Sequence, residues 1–166
     1  MKTNAVKLRG FQTVCSVQQQ SLIERTPEGL YCRAAKAWVD PWRPVPRALI
    51  THAHADHARP GCGEYWAVGS SEGVLRQRLG QDITLHPVAY GEEHWLGQCK
   101  VSFHSAGHVL GSAQIRLESE GEVWVVSGDY KRDDDPSCEP FEPVHCDVLI
   151  TEATFGMPIY RWESGA

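Results

Sequence analysis

The chain has 166 residues, of which 42% are hydrophobic and 22% are charged, values that are ordinary for one globular domain with a core of its own. It contains no apolar run near the ~18 residues that a membrane-spanning helix needs, and residues 10–20 are too polar for a signal peptide, so we expect no membrane association and a cytoplasmic location. The net charge of −5 excludes attraction of polyanions by the chain as a whole, and any contact with nucleic acid must therefore be local.

Residues 1–27 show little pattern, and we interpret them as an N-terminal extension that precedes a folded domain over residues 28–166. Strands dominate the predicted domain. The predicted strands are Leu30–Cys32, Ala37–Val39, Arg47–Thr51, Asp82–Leu85, Lys100–His104, Ala113–Leu117, Val123–Ser127 and Val148–Thr151. The pair Glu120-Gly121 is a tight-turn signal, which predicts a hairpin over residues 113–127.

One helix is predicted from Glu72 to Leu79. Ser70 and Ser71 are candidate N-caps, and Gly80 is a typical residue to end it.

The cysteines and tryptophans show no functional spacing. The cysteines at 15, 32, 62, 99, 138 and 146 match neither a zinc ribbon nor a disulfide framework, and we interpret them as reduced, buried or half-buried side chains. The tryptophans at 38, 42, 66, 95, 124 and 162 are expected to pack in the core or at its margin rather than to stack on bases.

Three segments rich in metal-ligand residue types each follow a predicted strand. They are His52-x-His54-x-Asp56-His57, Ala106-Gly107-His108 and Ser127-Gly128-Asp129. Loops that leave strand ends can converge at one edge of a sheet, so we expect these segments to lie together. The remaining histidines, at 86, 94, 104 and 145, have no such pattern, and we interpret them as structural or exposed.

Imidazole nitrogens and carboxylate oxygens are good zinc ligands, and the motifs provide for two ions. The expected ligands are His52, His54 and His108 for the first ion, Asp56 and His57 for the second, and Asp129 as the bridge between them. Ions ~3.5–4 Å apart can share a hydroxide and clamp both oxygens of a displacement reaction. Gly107 and Gly128 are expected to let the backbone pass close to the metals.

Thr51–His57, Ala106–His108 and Gly128-Asp129 resemble successive motifs of the metallo-β-lactamase superfamily, and Asp40 falls where the aspartate of its first motif lies. The resemblance implies an α+β fold, the αββα sandwich, with two zinc ions at one edge of two packed sheets. It also implies that Asp40 orients the histidine-rich loop as an outer-shell residue.

Within that superfamily, residues 107–113, 127–130 and 151–156 resemble the β-CASP nucleases. Residues 28–32, 40–44, 57–61 and 158–162 are similar to the bacterial ligase-associated DNA exonuclease branch. The resemblance implies a hydrolase of nucleic acid, DNA in this branch, with a functional link to an ATP-dependent DNA ligase in repair. It implies catalytic roles for Asp40, Asp56, Asp129 and Glu152, the last through a hydrogen bond to a histidine of the β-CASP domain.

Members of this family are about twice as long as this chain. The resemblance therefore implies that residues 28–166 are the N-terminal part of the domain and end where the β-CASP insertion begins. We expect such a chain to expose apolar surface, to lack the last ligand of the second zinc, to have little or no nuclease activity alone and to need a complementary C-terminal half.

Three alternatives remain open at the level of sequence. The site can serve an RNA-processing nuclease, since its motifs do not distinguish the two sugars. The chain can be a non-catalytic zinc-binding half-domain. It can also be a thioester hydrolase similar to glyoxalase II, although residues 151–156 argue against that interpretation.

Overall fold

The structure is a computed structural model that describes residues 21–152, and within them two β-sheets pack face to face. The first sheet consists of β1 (Ile23–Thr26), β2 (Gly29–Cys32), β3 (Ala37–Val39), β4 (Arg47–Leu49), β5 (Glu64–Val68) and β6 (Leu85–Val88) in that order. The second consists of β7 (His94–Leu96), β8 (Cys99–Ser105), β9 (Ala113–Ser119), β10 (Glu122–Val126) and β11 (Val148–Ile150), in the order β11-β10-β9-β8-β7.

Both sheets are mixed, and their topology brings several strand ends to the same edge. In the first sheet, β1 to β3 are antiparallel and β3 to β6 are parallel. In the second, all neighbours are antiparallel except β10 and β11. Consequently β3 and β4 end at one edge of the first sheet, and β8, β10 and β11 end together at one edge of the second.

The main core lies between the sheets, and alternation along the strands fills it. Leu49 of β4 faces the second sheet, where it joins a cluster that includes Phe103 of β8 and Ile115 of β9, all three fully buried. Ala48 and Ile50 point the other way, into a smaller cluster beneath the helix. Burying a side chain of this size contributes about 1.5–3 kcal/mol, so these rows hold the strand ends firmly in place.

The helix α1 spans Glu72–Leu79, as predicted, and covers the outer face of the first sheet through the buried Leu75. It ends at Gly80, which has a φ of +117° and donates its N–H to the carbonyl of Arg76 at 3.0 Å. Ser71 occupies the N-cap position, as predicted, but its hydroxyl makes no capping hydrogen bond to the helix. A 3₁₀ helix over residues 69–71 precedes α1, and the Ser71 hydroxyl donates instead to the carbonyl of Val68 at 2.7 Å.

The predicted hairpin is formed by β9 and β10. Glu120 and Gly121 both have positive φ, 53° and 82°, as a two-residue type I′ turn requires. The match is close because the turn is specified by neighbouring residues alone.

Some strands differ from the prediction. The expected strand Asp82–Leu85 is displaced, and β6 begins at Leu85. Pro87 lies within it, which an edge strand tolerates. The strands β1, β5 and β7 have no predicted counterpart. Of these, β1 lies within the segment interpreted as an extension and pairs with β2, so that part of the segment is integrated in the sheet.

The outer face of the second sheet is less covered than that of the first. No helix packs against it within residues 21–152, and its apolar side chains Trp95 and Leu149 are 70% and 54% exposed. Trp42, in the loop after β3, is 45% exposed. The expectation of packing for Trp42 and Trp95 is therefore wrong, while Trp38, Trp66 and Trp124 are half-buried as expected and Trp162 lies outside the described residues.

The cysteines fit their interpretation. Cys32 and Cys99 are buried and the thiols at 62, 138 and 146 half-buried, all of them free, whereas Cys15 lies outside the described residues. Among the described residues, none of the helices has the length and apolarity to cross a membrane.

Candidate metal centre

The three ligand-rich segments converge where the two sheets meet. The histidine cluster follows β4 of the first sheet, while the segments that contain His108 and Asp129 follow β8 and β10 of the second. The two sheets are joined at this point by a hydrogen bond of 2.7 Å from the N–H of Ala113 to the carbonyl of Thr51.

Four of the expected ligands form one group. His52, His54, His108 and Asp129 each offer a ligand atom, and these atoms all lie within 4.8 Å of one another. His52 is 1% exposed, whereas the other three are more accessible. This combination of a buried anchor and accessible partners is suited to a site that must also admit a substrate.

The separations between these atoms fit a single divalent cation. His52 Nε2 lies 3.0 Å from His54 Nδ1 and 3.8 Å from one carboxylate oxygen of Asp129, Oδ2. His108 Nε2 lies 3.7 Å from the same oxygen. Two ligands on a tetrahedral zinc, each about 2.1 Å from it, are about 3.4 Å apart. The observed spread therefore brackets the value for a shared ion.

A buried, unpaired nitrogen supports the same interpretation. His108 Nε2 is inaccessible to solvent and has no hydrogen-bond partner among the described residues. A buried polar atom without a partner costs about 1–3 kcal/mol. A cation at this point would remove that cost, so the residues present fit a bound metal.

The carboxylate of Asp129 faces two sets of ligands. Its Oδ2 is directed toward His52 and His108, and its Oδ1 lies 3.4 Å from Nε2 of His57. That nitrogen is also 3.5 Å from the Asp56 carboxylate. Asp129 is thus placed between the first set of ligands and a second set formed by Asp56 and His57.

Asp56 and Glu152 are peripheral to the group of four. The Asp56 side chain is 75% exposed and is not part of that group. Glu152 is exposed just beyond β11, on the strand-end edge where Ser127 and Thr151 hydroxyls are 3.3 Å apart. Of the segment 151–156, residues 153–156 lie outside the described residues.

Asp40 organises the histidine loop from behind. Its Oδ1 accepts the N–H of Thr51 at 2.8 Å, and its Oδ2 accepts the Thr51 hydroxyl at 2.5 Å. The same Oδ2 lies 2.7 Å from Nδ1 of His57. Asp40 has a φ of 42°, which is unusual for a residue other than glycine and shows that the loop is held in a specific conformation.

This network fixes which ring nitrogens are available to a metal. The Thr51 hydroxyl donates to Asp40, so it accepts from Nδ1–H of His52 at 3.1 Å. His57 Nδ1 donates to Asp40. When these two rings are neutral, their Nε2 atoms are left without a proton, as metal ligation requires.

The environment also sets the charge of the histidines. Burial, reinforced by the neighbouring histidines, lowers the pKa of His52 to about 3, and burial likewise lowers the pKa of His108. Burial opposes protonation of His57 too, but its hydrogen bond to Asp40 and the charges of Asp40 and Asp129 raise its pKa above the ordinary value. His52 and His108 are therefore neutral at neutral pH and ready to bind a cation.

The glycines of the motifs allow close packing of the ligand loops. A Cβ on Gly128 would lie 2.6 Å from the Thr51 side chain, and one on Gly107 would lie 2.3 Å from the backbone oxygen of Lys131. Both glycines also have positive φ, 55° and 67°. They permit the ligand loops to pack against other loops of the protein.

Two positioning residues are not evident from residue type alone. Thr51 links Asp40 to His52, and the Ser112 hydroxyl accepts the N–H groups of His108 and Val109 at 3.0 and 3.1 Å. Each lies within or just after a ligand motif, which is the signal by which it could have been identified.

The other histidines lie apart from this group. His86 contacts Glu64 at 3.1 Å and stacks on Trp66, and His104 contacts Glu142 at 2.9 Å. His145 is exposed.

No model of a protein family matches the chain, but comparison with known proteins finds relatives. The chain is 34% identical over 134 residues to a probable DNA ligase of Opitutus terrae, covering 80% of this chain and 13% of that one. It is 33% identical over 139 residues to the ribonuclease TTHA0252 of Thermus thermophilus, covering 68% and 32%. It is 40% identical over 64 residues to cleavage and polyadenylation specificity factor subunit 3 of Dictyostelium discoideum, covering 37% and 8%.

Similar solved structures include two metallo-β-lactamases. One is SMB-1, with a TM-score of 0.48, 20% identity and coverage of 63% of this chain and 57% of that one. The other is a B3 enzyme with an active-site glutamic acid, with a TM-score of 0.48, 16% identity and coverage of 72% and 62%.

The homologues confirm the resemblance to nucleases of the metallo-β-lactamase superfamily and its β-CASP group. The two packed mixed sheets, with one helix on an outer face, agree with the expected N-terminal portion of an αββα sandwich, and the predicted fold class is confirmed. The chain spans about a third or less of the length of each relative described above.

Proposed function

We propose that this chain carries most of the metal site of a zinc-dependent phosphodiesterase, a DNA exonuclease that acts with a DNA ligase in repair in the cytoplasm. The observation that carries the proposal is the group formed by His52, His54, His108 and Asp129, with its buried, unpaired His108 nitrogen. The chain is 34% identical to a probable DNA ligase over 80% of its length, which supports DNA as the substrate and a functional link to a ligase.

In this proposal the chain's residues have separate roles. His52, His54 and His108 would hold one zinc, Asp56 and His57 would contribute to a second, and Asp129, which faces both sets of ligands, would contribute to both. Two bound zinc ions would supply Lewis acidity toward a phosphate and lower the pKa of a nucleophilic water. Asp40 keeps His57 oriented through its Nδ1, and Glu152 is exposed just beyond the end of β11.

A second candidate substrate is RNA. It is favoured by the ribonuclease and endoribonuclease names of other relatives. Metal ions held by these ligands would bind phosphate oxygens, which DNA and RNA share, so the same geometry serves either candidate.

The first test is zinc binding by the purified chain, followed by competition against a chromogenic chelator and by elemental analysis. We expect at least one zinc per chain in the wild type. His108→Ala removes a ligand and should weaken binding of that zinc more than about 100-fold, since loss of an outer-shell partner alone costs about 10–100-fold. The matched control His145→Ala removes an exposed histidine and should bind zinc as the wild type does.

Hydrolysis is measured on the same samples, with labelled single-stranded DNA, RNA of the same sequence and an activated phosphodiester. Slow, zinc-dependent turnover that is lost in His108→Ala supports the enzyme proposal, and the preferred strand decides between DNA and RNA. Zinc binding without turnover on any of the three would show that the chain alone is not catalytic, as expected of a part that needs a complementary half. A wild-type chain that binds no zinc would contradict the proposal.

A further inference from the structure

An exposed tryptophan beside the metal centre has no role in the proposed site. Trp42 lies two residues after Asp40, and 45% of its surface is accessible, although Pro41 before it is buried. The Arg25 guanidinium carbon lies 5.3 Å from the centroid of the Trp42 ring, a cation–π arrangement. An aromatic ring that stays exposed with a cation on one side has a surface suited to another planar, electron-rich group.

The position of this pair is fixed relative to the metal ligands. In strand register, Arg25 of β1 pairs with Leu30, Leu30 with Val39, and Val39 with Leu49 of β4. The row thus crosses from Arg25 to the strand that delivers the histidine cluster. With strands about 4.8 Å apart, β1 is about 14 Å from β4. A few nucleotides of an extended strand span that distance.

The backbone under Trp42 is held on both sides. Its N–H donates to the carbonyl of Glu28 at 2.7 Å, in the turn between β1 and β2. Gly29, the first residue of β2, packs against Pro41, since a Cβ there would lie 3.4 Å from the Pro41 Cα. On the other side, Asp40 is bound to Thr51 and His57. The ring is therefore built into the loop that organises the metal centre.

The charge of this surface suits a phosphodiester chain. Arg25 and Arg43 are both exposed, and neither forms an ion pair among the described residues, in contrast to Arg33, which is 2.9 Å from Glu24. Unpaired arginines next to an exposed aromatic ring are the usual elements of sequence-tolerant binding to single strands, in which bases stack and phosphates meet cations.

We propose that Trp42 and Arg25, with Arg43, form a stacking platform that binds a base of single-stranded nucleic acid near the metal centre. The inference rests on the proposed function, because the strand that lies on the platform is the substrate of that site. Trp42 presents its ring to a base, while the arginines contact the flanking phosphates. Binding at the platform places a phosphodiester a few nucleotides further along the strand over the histidine cluster.

The test is fluorescence anisotropy of the full chain with a labelled twelve-nucleotide thymidine strand at low salt, in the presence of a chelator. Trp42→Ala should weaken binding at least about fivefold, the lower end of what one base–aromatic stack contributes. Trp95→Ala is the matched control, because Trp95 is 70% exposed on β7 of the other sheet. This variant should bind the thymidine strand with the affinity of the wild type. Trp42→Phe keeps a ring and should stay within about threefold of the wild type.

An abasic strand of the same length separates stacking from charge. Trp42→Ala should bind this strand as the wild type does, whereas Arg25→Gln should bind both strands more weakly. Equal affinities of Trp42→Ala and Trp95→Ala for the thymidine strand, or no binding by the wild type, would overturn the platform. Because the chelator removes metal from this assay, these outcomes are independent of zinc binding, whose absence would overturn the proposed function instead.

Discussion

The first and second halves of the candidate metal centre are built differently. The first half draws its ligands from three loops of two sheets and gathers them within 4.8 Å around the buried His52. The second half has Asp56 and His57 from a single loop, and the Asp56 side chain is 75% exposed. Packing between the sheets therefore assembles the first half, whereas the second half is ordered within one loop by the hydrogen bond of His57 to Asp40 and by its contact with Asp129.

The largest loss of stability is expected at the contact between Gly128 and Thr51, which lies between the two halves. Gly128→Ala places a Cβ 2.6 Å from the Thr51 side chain, at a φ of 55° that a side chain disfavours. We expect a loss of about 3 kcal/mol in the free energy of unfolding, of the size caused by overpacking and backbone strain together. Urea unfolding followed by circular dichroism measures it.

Gly73→Ala is the control for this change. It lies in α1 with nothing within 4 Å of the added Cβ, and alanine there should stabilise the chain by about 0.5–1 kcal/mol. If Gly128→Ala were as stable as the wild type, Thr51 would not be the rigid joint between the two halves.

An intermediate effect is expected from Asp40→Asn, which should weaken zinc binding in the second half more than in the first. An asparagine keeps an acceptor for the N–H of Thr51, but its NH₂ cannot accept the proton of His57 Nδ1, which now lies 2.7 Å from Asp40 Oδ2. His57 would then lose its fixed orientation and tautomer. We expect affinity for the second zinc to fall about 10–100-fold, as for other outer-shell changes.

Titration calorimetry with zinc resolves the two ions by their different affinities. The first zinc should be weakened less than the second in Asp40→Asn, because Asp40 reaches His52 only through the Thr51 hydroxyl. Asp82 is exposed and lies outside the ligand motifs, so Asp82→Asn serves as the control and should leave the affinity for both ions unchanged. An equal loss of both ions in Asp40→Asn would show that Asp40 supports the whole centre.

The smallest effect is expected from Asp56→Asn. The carboxylate is largely in solvent and lies outside the group of four, so its removal should leave the first zinc within about twofold. The second zinc should weaken by about tenfold or less, since water can replace an exposed carboxylate. A marked loss of the first zinc in the same titration would contradict the division into two halves.

Much of the local structure could be predicted from the sequence. The helix at Glu72–Leu79 and the hairpin at Glu120-Gly121 follow from residues that are close in the chain. The strands β1 and β7 could not be predicted in this way, because both are short edge strands. Their pairing partners, rather than their own periodicity, keep them extended.

The sequence by itself determined the chemistry of the site. A metal centre was indicated by the spacing of His52, His54, Asp56 and His57 and by the separate Gly-His and Gly-Asp motifs. Residue identity was sufficient for this, because it determines which side chains can bind a metal. Residue identity also indicated which motif residues resemble those of a nuclease, a relationship that the homologues confirm.

Only the tertiary structure decided how those residues are held. Asp40, Thr51 and His57 meet because β3 and β4 are parallel neighbours, and the motif glycines are required by contacts with distant loops. The position of the exposed Trp42 ring beside Arg25 likewise depends on the strand register that aligns β1 with β3 through β2. Contacts between residues far apart in the chain arise from sheet register and packing, which no local pattern specifies.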